Sequence, residues 1–170
     1  MPQHNITDLE IKLLQPEDYT MWKEIRLESL LRDPQAYGDS YDEMALYSYE
    51  DFSQYLKDGV IFGAIIQNRL VGCAAFYVEN RAKIAHKGWL RAVYVTPCNR
   101  GKSIGYKLVT SVIDHARDMI SQIHCGVTID GFHAINLYMK LGFIIYGTEP
   151  RCLRVDNKFY DVYFMALQLH

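Results

Sequence analysis

Residues 93–105 read VYVTPCNRGKSIG and join a strand pattern to a helix pattern through a turn of small residues. Glycines in such a turn let the backbone approach a ligand closely, and the first N–H groups of a helix have no partner inside it. Together with the helix dipole they favour an anion, and Arg100 and Lys102 add positive charge. The turn therefore predicts a phosphate or pyrophosphate site, although an ordinary glycine-rich turn with two solvated basic side chains explains the segment equally well.

Two common nucleotide-binding motifs do not fit this turn. A P-loop needs a glycine five residues before Gly101, where Thr96 stands. The residues from Gly101 to Gly105 lack the GxGxxG spacing of a dinucleotide site, and no acidic residue follows on a second strand to hold a ribose. Nucleotide hydrolysis and hydride transfer are therefore both disfavoured.

Hydrophobic periodicity assigns the elements on both sides of the turn. After it, Ile104, Leu108, Val112, Ala116 and Ile120 recur at every fourth position, which is typical of a helix with one buried face. The predicted strands are residues 9–14, 60–66, 70–78, 89–95, 124–129, 143–146 and 159–167. The predicted helices are residues 17–31, 49–57, 103–121 and 133–140. This order predicts an α/β chain with a strand–helix–strand crossover in the middle of its sheet.

Length and charge restrict the class of protein. The chain has 170 residues, with 18 Lys and Arg against 20 Asp and Glu, so we expect a single domain over residues 1–170 and no nucleic-acid partner. Residues 59–78 carry a single charge over twenty positions, which is long enough to cross a bilayer. The polar residues Gln67, Asn68 and Arg69 interrupt this stretch, so it predicts a buried antiparallel hairpin and no membrane span.

The cysteines argue against a metal site. Cys73, Cys98, Cys125 and Cys152 lie at least 25 residues apart, whereas zinc ligands usually come in close pairs. Residues 1–10 show no apolar run behind a basic start. Four scattered thiols in such a chain are typical of a reducing compartment, and we expect a cytoplasmic protein without a metal.

A second motif identifies a family resemblance. Residues 134–143 read AINLYMKLGF, which resembles the A-x-x-L-Y-x-K-x-G-F signature of the GCN5-related N-acetyltransferases, or GNAT proteins. Their acyl-CoA loop, Gln/Arg-x-x-Gly-x-Gly/Ala, is similar to residues 100–105, with Ser103 in place of the first motif glycine. Gly131 stands where relatives have an asparagine. Residues 26–30, 33–37 and 147–151 are similar to segments of a large bacterial-type branch.

The resemblance implies a fold and a set of site residues. The fold is a mixed α/β sheet of about seven mostly antiparallel strands, with one splayed parallel pair at the acetyl-CoA site and about four flanking helices. The resemblance implies that Val93, Tyr94 and Val95 line the pantetheine arm with their backbone and that Asn136 reaches the cofactor. It also implies that the pyrophosphate is held by residues of one loop, namely Arg100, Gly101, Lys102, Ser103, Ile104 and Gly105.

The chemistry implied by the resemblance needs a proton donor and a base. Tyr138 stands where relatives place a tyrosine near the sulfur, and a phenol of pKa ~10 protonates a thiolate of pKa ~8.5 at a cost of about 2 kcal/mol. Relatives carry a basic glutamate on the central strand, but residues 89–95 contain no carboxylate. Glu79, His86, Asp130 or a chain of water molecules are substitutes, and the sequence does not choose among them.

The acceptor stays open at this point. Acetyl transfer to a primary amine of a small molecule or peptide is the leading hypothesis. The alternatives are an acetyltransferase for protein N-termini or lysines, and a CoA-binding sensor that has lost its chemistry. A homodimer is compatible with each of them.

Overall fold

The computed structural model describes residues 8–170 and places seven strands of this part of the chain in one sheet, in the order β1-β2-β3-β4-β5-β7-β6. The strands are β1 (Glu10–Leu13), β2 (Val60–Ile66), β3 (Arg69–Val78), β4 (Lys87–Val95), β5 (Gln122–Thr128), β6 (Ile144–Val155) and β7 (Lys158–Gln168). The helices are α1 (Tyr19–Arg32), the single turn α2 (Tyr41–Met44), α3 (Tyr49–Asp58), α4 (Ile104–Ala116) and α5 (Phe132–Lys140). Within these residues β4 and β5 are parallel and the other neighbours are antiparallel. The predicted fold class is confirmed.

The predicted hairpin is formed by β2 and β3. Gln67 and Asn68 both have positive φ, at 49° and 60°, which is the backbone of a tight hairpin turn whose twist matches that of the strands. Ile61, Ala64 and Ala74 are buried on the two strands. Among the helices of residues 8–170, none has the length and apolar character that a membrane crossing requires.

The sheet separates two apolar layers. Helix α4 buries Leu108, Val109 and Val112 against one face, together with Phe76 of β3. On the other face, Trp22 of α1 and Phe52 of α3 are fully covered. Because β3 contributes alternate residues to both layers, the sheet is the shared middle of the molecule.

Strands β4 and β5 pair only at their first residues. The register joins Lys87, Gly88 and Trp89 to Gln122, Ile123 and His124, and no pairing follows along residues 90–95. In the same part of β4, Ala92 and Val93 stand opposite the single residue Ala74 of β3, and Ala92 has a φ of 50°. Such a bulge bends its strand and increases the local twist. The two strands therefore diverge, as expected, and leave a V-shaped opening between residues 90–95 and 125–128.

Several predicted boundaries differ from the structure. Helix α4 ends at Ala116 and not at residue 121, and Met119 is exposed. Strand β6 extends to Val155, whereas the prediction ended it at residue 146. The prediction was too short because this edge strand is largely exposed and therefore needs no apolar alternation by which it could be recognised. In α1, Leu31 is exposed, whereas Arg26 is buried.

Candidate active site

The opening between β4 and β5 exposes two carbonyl groups of β4. The N–H of Thr96 donates to the carbonyl of Val71 at 2.9 Å, so residue 96 points its hydrogen-bonding groups towards β3. Because the direction alternates along an extended strand, those of Val93 and Val95 point into the opening. The Val93 oxygen accepts a hydrogen bond from the Tyr37 hydroxyl at 3.1 Å, and the Val95 oxygen accepts one from Arg100 Nε at 2.9 Å.

The loop before α4 forms a set of unpaired donors. Gly101 has a φ of 76° and Ser103 a φ of 59°, so both residues adopt the left-handed conformation. Within residues 8–170, the N–H groups of residues 101–106 donate no hydrogen bond, and the first amide of α4 to do so is that of Lys107, to Ser103 O at 3.1 Å. The Ser103 hydroxyl does not cap the helix. Backbone N–H groups converging at a helix start fit an anionic group such as pyrophosphate.

The two basic side chains of this loop have partners within the protein. Lys102 Nζ donates to Asn99 Oδ1 at 3.1 Å. Arg100 Nη2 donates to Asp33 Oδ2 at 2.8 Å, and the guanidinium lies over the Tyr94 ring at 5.5 Å from its centroid. The guanidinium that we expected beside phosphate is thus paired with a carboxylate from the other face of the sheet. The phosphate contact of Arg100 stays a prediction.

Helix α5 carries Tyr138 and Asn136 on different faces, the first buried and the second exposed. Tyr138 is 6 % exposed and packs on Phe143, with the ring centroids 5.6 Å apart. Burial raises the pKa of the Tyr138 phenol well above its ordinary value, and the Cys125 thiol and the Tyr37 phenol add to this shift. Tyr138 therefore stays protonated throughout the neutral range. Asn136 is exposed on the same helix.

The start of α4 lies next to the middle of α5. A Cβ atom built on Gly105 would be 3.4 Å from a methyl carbon of Leu137, so the first turn of α4 touches α5 with room for a small side chain. Gly131 is more tightly enclosed, because a Cβ there would lie 3.0 Å from the Thr128 carbonyl oxygen. The asparagine of relatives therefore has no room at this position without a shift of the β5–α5 turn.

The face of the sheet opposite α4 and α5 carries charged and aromatic side chains that the sequence did not indicate. Arg26 is 4 % exposed, stacks over the Tyr37 ring at 4.7 Å and donates to Asp39 Oδ2 at 2.6 Å. Tyr37, Tyr47, Tyr55 and Tyr77 border the same apolar layer. This surface reaches the opening at Tyr37, whose hydroxyl donates to Val93 O.

His124 was also missed by the sequence reasoning. It stands where the pairing of β4 with β5 ends, is 8 % exposed and shares a hydrogen bond of 3.1 Å between Nδ1 and the Tyr146 hydroxyl. Burial, followed by the charges of Lys87 and His86, lowers the pKa of His124, so its ring is neutral at pH 7. The only sequence feature that could have indicated His124 is its position on β5. Alternation of polar and apolar residues along a strand does not show whether a histidine is buried or on the surface.

The substitutes for the missing base are dispersed. Glu79 Oε1 accepts a hydrogen bond from Trp89 Nε1 at 3.1 Å at the closed end of the opening, and Asp130 is exposed after β5. The identity of the base therefore stays open. Across residues 8–170, no group of three His, Cys, Asp or Glu side chains is placed to hold a metal ion.

Comparisons with known proteins agree with this geometry. Residues 21–143 match the family model of the acetyltransferase (GNAT) family. The L-amino acid N-acyltransferase MnaT of Escherichia coli (strain K12) is 33 % identical over 79 residues, which are 46 % of this chain and 46 % of that protein. The chain thus matches about half the length of this curated relative.

Solved structures share the whole fold. An acetyltransferase of the GNAT family from Streptococcus pneumoniae superposes with a TM-score of 0.85 at 22 % identity, covering 95 % of this chain and 99 % of that one. The yncA protein of Salmonella typhimurium, solved with its cofactor acetyl-CoA, gives a TM-score of 0.78 at 24 % identity, covering 95 % and 94 %. With a family model that matches 123 of the 170 residues (21–143), this chain belongs to the GNAT acetyltransferase family.

Proposed function

We propose that this chain is an acetyl-CoA-dependent N-acetyltransferase that acts on the primary amine of a small molecule by direct attack. The family membership supports the reaction type, and the name of the Escherichia coli relative supports an L-amino acid as the acceptor. The observation that carries the proposal is the V-shaped opening. The N–H groups of residues 101–106 lie at the end of β4, whose backbone groups line the opening, and Tyr138 interacts with Cys125 of β5 and with Tyr37, which bonds β4.

The residues present fit a bound acetyl-CoA. The N–H groups of residues 101–106 would bind its pyrophosphate, and the backbone of Val93 and Val95 would pair with the amides of its pantetheine arm. Asn136 is exposed in the middle of α5, and its contact with the cofactor stays a prediction. Held in this way, the thioester would lie beside the acceptor amine, which removes much of the entropic barrier of a bimolecular reaction.

The reaction forms a C–N bond and breaks a C–S bond. The amine nitrogen attacks the thioester carbonyl carbon, and a backbone N–H of residues 93–95 would stabilise the charge on the oxygen. When the C–S bond breaks, Tyr138 would give its proton to the CoA thiolate, and the proton released from the amine would leave through water. Because the phenol of Tyr138 keeps its proton at neutral pH, it is available as an acid in every turnover.

The acceptor surface favours a small charged molecule. The buried Arg26 holds Asp39 at 2.6 Å, and the Asp39 side chain is 54 % exposed, so its carboxylate is open to the ammonium group of an amino acid. The acceptor would enter from this face, because α4 and α5 cover the other one.

A panel of acceptors tests this function. Loss of acetyl-CoA is followed with free L-amino acids, with short peptides that have a free N-terminus and with lysine peptides that have a blocked N-terminus. Absorbance of the thioester is the readout, because the exposed Cys98 would consume thiol reagents. Faster turnover of free amino acids supports the proposal. A preference for peptides would favour protein acetylation, and acetyl-CoA binding without turnover of any amine would favour a sensor.

The free cysteines indicate the kind of cellular compartment in which the protein works. All four cysteines are free and two of them are buried, so we infer that the protein works in a reducing compartment such as the cytoplasm. The sequence is compatible with a homodimer, and size-exclusion chromatography with light scattering measures the oligomeric state directly.

A further inference from the structure

The end of β4 is tied to the turn that follows α1. Arg100 uses two edges of its guanidinium: Nε donates to Val95 O at 2.9 Å, and Nη2 donates to Asp33 Oδ2 at 2.8 Å. Nearby, the Tyr94 hydroxyl donates to Glu28 Oε1 at 2.9 Å. These contacts join β4 and the loop that follows it to α1 and the turn after α1, which are more than 60 positions apart in sequence.

The tied turn spans the opening. Residues 34–36 form one turn of 3₁₀ helix that packs on β5 and β6. The next residue, Tyr37, reaches back to β4, where its hydroxyl donates to Val93 O at 3.1 Å. The turn therefore crosses from β6 to β4 on the face opposite Tyr138, and Asp33 is the residue at which it starts.

The ion pair is too exposed to matter much for stability. The side chains of Arg100 and Asp33 are 49 % and 30 % exposed, and pairs this exposed contribute little to the free energy of unfolding. Its geometry is nevertheless specific, because one side chain must reach two acceptors in different directions. Arginine does this with its planar fork, whereas lysine presents a single point charge.

We propose that Arg100 is a positioning residue: with Asp33 it forms a latch that holds the 34–37 turn, and hence Tyr37, over the acceptor side of the opening. This inference rests on the proposed acetyl transfer. It assigns Arg100 a role in orienting the acceptor, whereas the family resemblance implied a role in holding pyrophosphate. The pyrophosphate then depends on the backbone N–H groups of residues 101–106.

The substitution Arg100→Lys separates the two roles. A phosphate site accepts lysine as a point charge, so a phosphate role predicts that acetyl-CoA affinity and transfer both survive. The latch predicts that the Kd for acetyl-CoA changes by less than about threefold. It also predicts that kcat/KM for the acceptor falls by about tenfold, because displacement of the 34–37 turn misorients the amine. Asp33→Asn removes the other half of the latch and is expected to give the same pattern.

The double variant tests whether the two residues act together. If they form one latch, Arg100→Lys with Asp33→Asn is no slower than either single variant, because the contact is already lost. Asp114→Asn is the matched control, since it removes an exposed carboxylate from another surface ion pair, with Arg117 at 3.7 Å. The control is expected to leave both acetyl-CoA binding and transfer unchanged.

Hydrogen exchange gives a readout that does not depend on turnover. Both latch variants are expected to speed amide exchange in residues 35–38, above all that of Ala36, whose N–H donates to Asp33 O at 2.9 Å, and to leave that of α4 unchanged. Unchanged exchange in residues 35–38, or rate losses that simply multiply in the double variant, would overturn the latch. If wild-type protein acetylates no amine, the proposed function fails, while exchange still decides whether the latch exists.

Discussion

Tyr138 is the residue at which binding and chemistry can be separated. Replacing it with phenylalanine keeps the ring that packs on Phe143 and removes only the proton donor. We expect Tyr138→Phe to keep its stability and its acetyl-CoA affinity, and to lose about 10²–10⁴-fold in the rate of transfer. Because burial raises the pKa of Tyr138 well above its ordinary value, wild-type kcat should show no fall from ionisation of this phenol up to about pH 10.

Single-turnover kinetics are the appropriate measurement for this variant, because slow product release would hide a change in the chemical step. Tyr49→Phe is the control, since Tyr49 is an exposed tyrosine of α3. A single-turnover rate of Tyr138→Phe within about threefold of wild type would exclude Tyr138 as the acid. Water would then protonate the thiolate, and Tyr138 would be a packing residue.

The backbone conformation of Ser103 explains why the family's loop motif has a glycine at this position. Its φ of 59° lies in the left-handed region, where a Cβ costs roughly 1 kcal/mol, and its hydroxyl makes no capping bond that would offset this cost. We expect Ser103→Gly to raise the free energy of unfolding by up to about 1 kcal/mol and to retain acetyl-CoA binding. Urea denaturation measures the first and calorimetry the second.

A second serine of the same helix is the control. Ser111 lies within α4 and donates to Lys107 O at 3.0 Å, so Ser111→Gly should lower stability by about 0.5–1 kcal/mol through backbone entropy. If Ser103→Gly destabilised the protein as much as Ser111→Gly does, the left-handed backbone of residue 103 would not be a source of strain.

At the scale of elements, local signals were predicted well and long-range ones were not. The β2–β3 hairpin follows from two apolar runs around polar turn residues, and the start of α4 follows from its periodic stripe. The loop and Tyr138 were predicted as site residues because short motifs carry them. Tyr37 and Asp33 were missed, because their contacts to Val93 and Arg100 cross 56 and 67 positions. No periodicity encodes such pairs.

The junction of the loop with α4 makes its own prediction. A Cβ at Gly105 would meet Leu137 at 3.4 Å, which is ordinary contact, so Gly105→Ala should fold and bind acetyl-CoA. The larger Gly105→Val places a branched side chain among the free N–H groups of the helix start, and we expect it to lose most of its acetyl-CoA affinity while keeping its fold. Calorimetric titration beside a thermal melt measures both. Normal binding by Gly105→Val would mean that the ligand does not approach residue 105.

At the scale of the whole molecule, the two apolar layers on either face of the sheet unfold either together or separately. One apolar layer contains Cys125 and the other contains Cys73. Strand β3 contributes to both layers, so neither can be opened without disturbing the sheet that supports the other. We therefore propose that residues 1–170 form one domain that unfolds in a single cooperative step.

The two buried thiols report on the two layers separately. Burial raises the pKa of both Cys73 and Cys125 to about 12, so at pH 8 neither is a reactive thiolate until the protein opens. Pulsed alkylation with mass spectrometry should show rapid modification of the exposed Cys98, which is the internal control. Cys73 and Cys125 should be modified at equal and much slower rates that rise together with urea. Modification of one of them well before the other would show that the two layers open independently, and residues 1–170 would then not behave as one cooperative domain.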